Sequence, residues 1–480
     1  MPILLLHKTF MNLENLFIFH KNQKFHFMNR LLYPLMLCCI FCWNSGKAQL
    51  SQSYKARLDF VFDSVCIANN MHGASAAVIV PNQGIWKRAF GVSETGVPLD
   101  TNMLIGIGSN TKTYIAVTLL KMQEQSLVNL DDTIGTWIQH PQVNGQITIR
   151  QLLNHTSGVF SYTNNPDFED SILADFNRVW QPEEMFSLIS PPVFAPGGGW
   201  DYSNSNYLLA GLIIKDMNQP LSTTLRNMLL NPHGLNNTIL FPEESSSLVF
   251  AHPWSDNFSG THQEDLIADY GYSNNAVFSM AWAAGALIAT AEDNAMFWSK
   301  LINGQLLNSA SMAELKQWVT LNASTRYGLG IFRMNNVNLR HVLSHGGTNL
   351  GYINENLADS VSGVAISVLT NQDSIMNGVL FTRVVAPLHK ATIQLATDIS
   401  DIHHTPPKVT IYPNPSQGKI YISGMPSGKL QLSDINGRQL FSSAFEDKKE
   451  ITLPHVAPGL YIVRLTDDKG NNIHSTLKIE

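Results

Sequence analysis

The chain has 480 residues, of which 44% are hydrophobic and only 14% charged, with a formal net charge of -6. At ~150 residues per domain this allows two or three domains and a large core. Ordinary apolar content and moderate glycine and proline exclude collagen, coiled coil and outright disorder, and the acidic balance argues against a nucleic-acid binder.

The charge is unevenly spread along the chain. Lys8, Lys21, Lys24, Arg30 and Lys47 against Glu14 give the first 48 residues +4, the segment from Lys408 onward carries +2, and the middle is left with -12. Met28-Asn29-Arg30 precedes an apolar run from Leu31 to Trp43, followed by Asn44-Ser45-Gly46-Lys47-Ala48-Gln49. A positive start, a short apolar stretch and small residues before a cut describe a secretory signal peptide. Residues 1–48 are therefore expected to be a leader cleaved after Ala48, with Met28 as an alternative start. The run is shorter than the ~20 residues of a membrane span, and a signal anchor is the competing reading. Cys38, Cys39 and Cys42 fall in the leader, so Cys66 remains without an internal disulfide partner. It lies in an amphipathic stretch and reads as a small buried hydrophobe.

Residues 49–400 alternate strands and helices. Ala74–Val80 and Gly84–Ala89 predict a hairpin, and Gly363–Leu369 and the segment near Leu343 predict late strands. Helices are expected at Thr111–Gln125, Ser205–Met217, Leu221–Leu230 and Thr290–Ile302. Strands at both ends with helices between suggest an α+β domain, one antiparallel sheet closed by the two ends and a helical subdomain beside it. G-x-S-x-G, H-E-x-x-H, a C-x-x-C pair and the P-loop pattern are all absent, so zinc-protease and P-loop readings are unsupported. No metal or cofactor is expected.

Ser-x-x-Lys occurs at Ser109/Lys112, Ser416/Lys419 and Ser475/Lys478. The last two fall in predicted strands, where residues three apart face opposite sides. Ser109 and Lys112 open an apolar helix, which puts both side chains on one face. A lysine whose charge is disfavoured can take the serine proton and make the hydroxyl a nucleophile. The competing reading is an N-cap serine followed by a solvated lysine. Gly106 and Gly108 are expected to leave room for a substrate. Among five Tyr-x-Asn matches, Tyr202/Asn204 stands out because Pro196-Gly197-Gly198-Gly199-Trp200-Asp201 forms a glycine-rich loop entering a helix; a phenol there can shuttle a proton. Leu343-Ser344-His345-Gly346-Gly347-Thr348 places a histidine and two glycines at a strand edge, where a substrate backbone can approach. His155, in Leu152-Leu153-Asn154-His155-Thr156-Ser157-Gly158, reads as loop architecture.

In this order, Ser109-x-x-Lys112, Tyr202-x-Asn204 and His345-x-Gly347 resemble the three signatures of the serine β-lactamase/penicillin-binding superfamily, in its class C-like branch. Thr148–Gly158, Gly285–Asp293 and Tyr327-Gly328-Leu329-Gly330 add to the likeness, which spans roughly residues 55–390. The resemblance implies a β-lactamase/transpeptidase-like fold and an acyl-enzyme on Ser109. Lys112 and Tyr202 would share proton transfer, and Asn204 would hold the substrate amide. The backbone N–H groups of Ser109 and Thr348 would form the oxyanion hole. His345 would line the opposite wall and donate to a substrate carboxylate or ester oxygen. One departure matters: β-lactamases of this class usually carry lysine, then serine or threonine, then glycine where this chain has His345-Gly346-Gly347. That shifts the expectation from β-lactam toward an ester or a D-amino-acid peptide as the small-molecule substrate. A true β-lactamase and a catalytically silent penicillin-binding or surface ligand-binding module are the alternatives.

After a proline-rich linker at 401–408, residues 409–480 predict seven short strands and a small Ig-like sandwich. Tyr412-Pro413-Asn414-Pro415, Asp434-Ile435-Asn436-Gly437-Arg438, Pro458-Gly459-Leu460-Tyr461-Ile462-Val463 and Leu477-Lys478-Ile479 resemble the carboxy-terminal sorting domain of type IX secretion cargo. That likeness implies the type IX secretion machinery of a Bacteroidetes-type bacterium as a partner, and a secreted or cell-surface location. Nothing in the sequence sets the oligomeric state.

Overall fold

Gly73–Val80 consists of small and β-branched residues, and it folds as a strand buried on both faces. Such a strand belongs inside a sheet. It pairs antiparallel with Gly84–Glu94 on one side and with Ala365–Thr370 on the other, Ala74 opposite Thr370. In this computed structural model, which describes residues 49–398 and 409–480 apart from 218, 259, 261, 435–437 and 469–471, early and late segments thus meet in mid-sheet. The leader, the linker and the Asn436-Gly437 turn read from the sequence lie outside the described residues.

The sheet has ten strands among the described residues. From one edge they run Val97–Pro98, Gly84–Glu94, Gly73–Val80, Ala365–Thr370, Tyr352–Ala358, Arg340–Ser344, Phe332–Val337, Thr325–Tyr327 and Val319–Thr320, with the short Gly347–Asn349 also paired to Tyr352–Ala358. Gly84–Glu94 outruns its sequence expectation because Val92 and Glu94 pair on with the strand Val97–Pro98. Ala74, Ala76, Val78 and Val80 share one face and pack with Leu58, Phe62 and Cys66 of the helix Gln52–Ala68 and Leu388 of the helix Ala386–Asp398. Burying a side chain such as Leu58 or Phe62 is worth about 1.5–3 kcal/mol. Ala77 points the other way, into a larger core shared with Phe297 and Trp298 of the helix Ala291–Ile302.

That larger core also encloses the helix Thr111–Glu124, whose residues are buried almost all round, as expected of a helix in mid-domain rather than on a surface. Beside it lie Ile149–Leu153, started by a capping box between Thr148 and Gln151, and Asn204–Asp216. The helix expected over 221–230 is α-helical only over Leu221–Leu225; Arg226–Leu230 forms a wider π turn, at which the Arg226 guanidinium reaches Glu244 and the Thr238 carbonyl.

Among the described residues, those from 409 to 480 form seven strands in two sheets. Thr410–Tyr412, Lys419–Ser423 and Ile451–Thr452 make one; Gln439–Glu446, Ser427–Ser433, Gly459–Asp467 and Asn472–Ile479 make the other. Alternate residues, Ile420 and Ile422, Leu430 and Leu432, Val463 and Leu465, turn inward to a core of their own. Among the described residues no helix is long and apolar enough to cross a membrane.

Candidate active site

Ser109 sits in a tight 3-10 turn, Gly108–Asn110, that runs straight into the helix Thr111–Glu124. The helix N-cap is Asn110 rather than Ser109, and it makes no side-chain capping bond. Instead Lys112 Nζ lies 3.0 Å from Ser109 Oγ, and Tyr202 hydrogen-bonds the same serine. The capped-serine reading with a solvated lysine is thereby overturned: Lys112 is fully buried.

Lys112 Nζ has two further partners, Asn204 Oδ1 and the Ala284 carbonyl, each at 2.7 Å. It also stands 5.0 Å from the Tyr202 ring centre. None of these partners is a carboxylate, so burial pushes the amine well below its usual range. A neutral amine has two N–H bonds and one lone pair. Asn204 and Ala284 accept the two hydrogens, which leaves the lone pair for the Ser109 hydroxyl. Burial pushes the Tyr202 phenol the opposite way, upward, against a smaller lowering by its bond to Ser109. Asn204 Nδ2 donates to Thr163 Oγ1 at 3.0 Å, which fixes the amide's orientation.

The glycines act differently from the sequence expectation. Gly106 and Gly108 leave no substrate space: a Cβ on Gly106 would strike Phe278, and one on Gly108, whose φ is +47°, would lie 2.5 Å from Thr348 N. A Cβ on Gly347 would lie 2.7 Å from Ser109 N. The glycines let the Ser109 turn and the strand Gly347–Asn349 touch backbone to backbone, which brings the N–H groups of Ser109 and Thr348 together.

His345 also departs from expectation. It is buried, its Nδ1 bonds the Gly346 carbonyl at 2.6 Å and its Nε2 faces the Tyr327 hydroxyl at 3.3 Å, leaving neither ring nitrogen free for a substrate. Burial and the nearby Lys112 push it down to about 3, so it is neutral near pH 7. His155 is a packing element: Ser203 N–H and Asn206 Nδ2 reach its Nδ1, and its ring lies 4.4 Å from that of Tyr202. It holds the Tyr202 loop on the helix Asn204–Asp216.

Of the other Tyr-x-Asn tyrosines, Tyr162 and Tyr352 spend their hydroxyls on the Met280 and Ala251 carbonyls, Tyr272 is buried, and Tyr412 lies in the tail. Ala284, Thr163 and Glu355 are site residues that sequence reasoning missed. Only the run Asn354-Glu355-Asn356, polar in a strand otherwise apolar, could have flagged the last.

Two cavities meet at Ser109 and Thr348. One, of about 460 Å³, runs past Asn204 to an apolar wall of Phe168, Ile172, Phe258 and Val277. The other, of about 400 Å³, lies on the Tyr202 side and is lined by Phe332, Met334, His345, Glu355 and Asn377. Among the described residues no cluster of histidine, cysteine and carboxylates could hold a metal ion.

Residues 54–382 match the family model described as Beta-lactamase. The chain belongs to that family. It is a family of serine hydrolases. Residues 410–479 match the model of the Secretion system C-terminal sorting domain, which indicates export. Among curated relatives, Penicillin-binding protein 4* of Bacillus subtilis is 24% identical over 63% of this chain and 68% of its own length. Esterase EstB of Burkholderia gladioli is 30% identical over 42% of this chain and 55% of its own. Among solved structures, a D-stereospecific amidohydrolase from Streptomyces sp. has a TM-score of 0.59 at 25% identity and covers 69% of this chain and 97% of its own. A D-amino acid amidase from Ochrobactrum anthropi reaches 0.62 at 23% identity, over 72% of this chain and all of its own, a likeness of fold.

Proposed function

We propose that the protein is an exported serine hydrolase that cleaves an ester or amide bond through an acyl-enzyme on Ser109. The observation that carries this reading is the buried Lys112 amine, without a carboxylate partner, 3.0 Å from the Ser109 hydroxyl. Lys112 is the general base in this reading, because burial favours its neutral form while it disfavours the phenolate of Tyr202. Ser109 Oγ attacks the carbonyl carbon and its proton passes to Lys112 Nζ. Negative charge gathers on the carbonyl oxygen between the N–H groups of Ser109 and Thr348, where losing one donor costs about 10²–10³ in rate. Tyr202 then relays the proton to the leaving group, which departs on its side of the serine. Water then attacks the acyl carbon while its proton passes back along the same route to Ser109 Oγ; the acyl–Oγ bond breaks, and the free acid and the serine hydroxyl are released.

The apolar wall of the larger cavity, beside Asn204, suits a hydrophobic acyl group. The esterase and D-amino-acid amidohydrolase among the similar proteins point to short acyl esters and D-amino-acid amides or peptides as substrates. A β-lactamase is disfavoured, since His345 is neutral and buried and supplies no cation for a β-lactam carboxylate. We assign the matched tail to the type IX secretion machinery and residues 49–400 to the mature enzyme, released or held at the cell surface.

The test is labelling by a fluorophosphonate probe beside turnover of acyl esters, D-amino-acid amides and a chromogenic cephalosporin. Labelling of the wild type and not of Ser109→Ala is expected; equal labelling of both sinks the hydrolase reading. Acylation without turnover would instead indicate a penicillin-binding module. Mass spectrometry of the exported product should find a chain starting near Gln49 and ending before Val409.

A further inference from the structure

Glu355 is a buried carboxyl inside the strand Tyr352–Ala358, flanked by two buried asparagines. Its carboxyl lies against the backbone of Gly346; a Cβ at Gly346 would overlap Oε1. Where β-lactamases of the resembling class carry a hydroxyl residue, this chain has glycine, and the space is filled by a carboxyl from the neighbouring strand. Glu355 also lines the cavity on the Tyr202 side of Ser109.

The charges around that cavity are sparse. Among the described residues no lysine or arginine lines it. The facing elements contribute Ser344, Thr325 and Asn377, which do not titrate, and His345 and Tyr202, which do. Burial and Lys112 keep His345 neutral, and burial keeps Tyr202 a neutral phenol. Burial pushes Glu355 itself up to about 8, against hydrogen bonds from Asn377, Ser344 and the Asn356 backbone.

We propose that Glu355 is a specificity-determining residue that sets the charge of the leaving group, so that the cavity beside Tyr202 takes neutral or cationic groups and rejects carboxylates. This rests on the reading of Ser109 as nucleophile and of the Tyr202 side as the leaving-group side. A carboxylate entering there meets no cation and a carboxyl group at close range, and two like charges in a dry site cannot both ionise cheaply. A cationic leaving group has the opposite effect, drawing the proton off Glu355 and pairing with it. Discrimination is therefore pH-dependent: Glu355 is neutral below about pH 8 and ionised above it, so rejection of carboxylates tightens as pH rises through that value. Titration of Lys112 affects all substrates alike and cancels in a ratio of rates.

The experiment uses three aryl esters with one acyl group. The phenol leaving groups bear a carboxylate, a carboxamide or an aminomethyl group. The quantity read is the kcat/KM of each relative to the carboxamide, at about pH 6.5 and about pH 9. In the wild type the carboxylate ester should fall behind the carboxamide by roughly tenfold or more at the higher pH and by several-fold less at the lower. The aminomethyl ester should gain over the same range. Glu355→Gln should raise the carboxylate-to-carboxamide ratio at the higher pH by about tenfold and flatten its pH dependence. The wild-type pH series alone is decisive should the variant not fold. A pH-independent wild-type ratio, or a ratio unmoved by Glu355→Gln, overturns the proposal and leaves the hydrolase reading intact. No Ser109-dependent turnover of any of the three esters overturns both.

Discussion

A lysine taken out of water is expensive, and Lys112 is given only neutral partners in exchange: a serine hydroxyl, an amide oxygen and a backbone carbonyl. An arginine at this position would stay charged at any working pH. Lys112→Arg should therefore cut ester turnover and fluorophosphonate labelling by about 10³-fold or more, with the fold checked by circular dichroism. In the wild type, kcat/KM for a neutral ester should rise with pH through an apparent pKa below the usual lysine value, because the neutral amine is the active form and burial favours it. Tyr202→Phe removes the hydroxyl that bonds Ser109 and should lower kcat by about 10²-fold or more. Tyr272→Phe removes a buried hydroxyl that has no hydrogen-bond partner among the described residues and should leave turnover within about twofold. The serine, lysine and tyrosine were legible in the sequence because helix spacing and a glycine-rich loop mark them. The Ala284 carbonyl and Thr163 were not, since they act through backbone position or through a partner far away in the chain.

At the scale of elements, the site is held by buried amides rather than by charges. Asn110, next to Ser109, donates to Asn294 Oδ1 at 2.6 Å; Asn294 in turn donates to Asn356 Oδ1 at 2.7 Å and Ser367 Oγ at 3.0 Å. Asn356 Nδ2 reaches the His345 carbonyl at 2.8 Å. One side chain, Asn294 on the helix Ala291–Ile302, thus ties the Ser109 turn to the strand that carries Glu355 and, through Asn356, to His345. Asn294→Ala would leave several buried polar groups unpaired and should cost about 2–4 kcal/mol of stability, read as a lower midpoint in urea unfolding. Hairpin, helices and tail strands were legible because their periodicity records burial. The polar run at Asn354–Asn356 was visible as an oddity in an apolar strand, but its role was not, since its asparagines find partners only when distant segments assemble. The role of the glycines was hidden for a related reason: their sequence records freedom of the backbone, not what comes to lie against it.

Across the whole enzyme domain, the helix Ala386–Asp398 is fastened to the sheet at Asp359, which is buried and sits just past the strand Tyr352–Ala358. Burial alone would raise this carboxyl. Hydrogen bonds from His389, Ser362 and the Val361 N–H, with the charge of Arg340, outweigh it and hold Asp359 well below the usual carboxylate range. A carboxyl lowered in the folded state adds stability that is present above its unfolded value, about pH 3.9, and is lost as pH falls below it. The wild type should therefore lose stability steeply in that acid range, and Asp359→Asn should be less stable at neutral pH but flatter in acid, as measured by thermal unfolding across pH. The contact between Gly108 and Gly347 has a consequence for how such an enzyme can change. Where two backbones touch, a side chain on either glycine must displace the other, so the proposed oxyanion site is closed to gradual variation. The walls built by Phe168, Phe258, Phe332 and Met334 carry no such constraint, and new substrate ranges in this lineage, or in a laboratory library, should arise there while the glycines stay fixed.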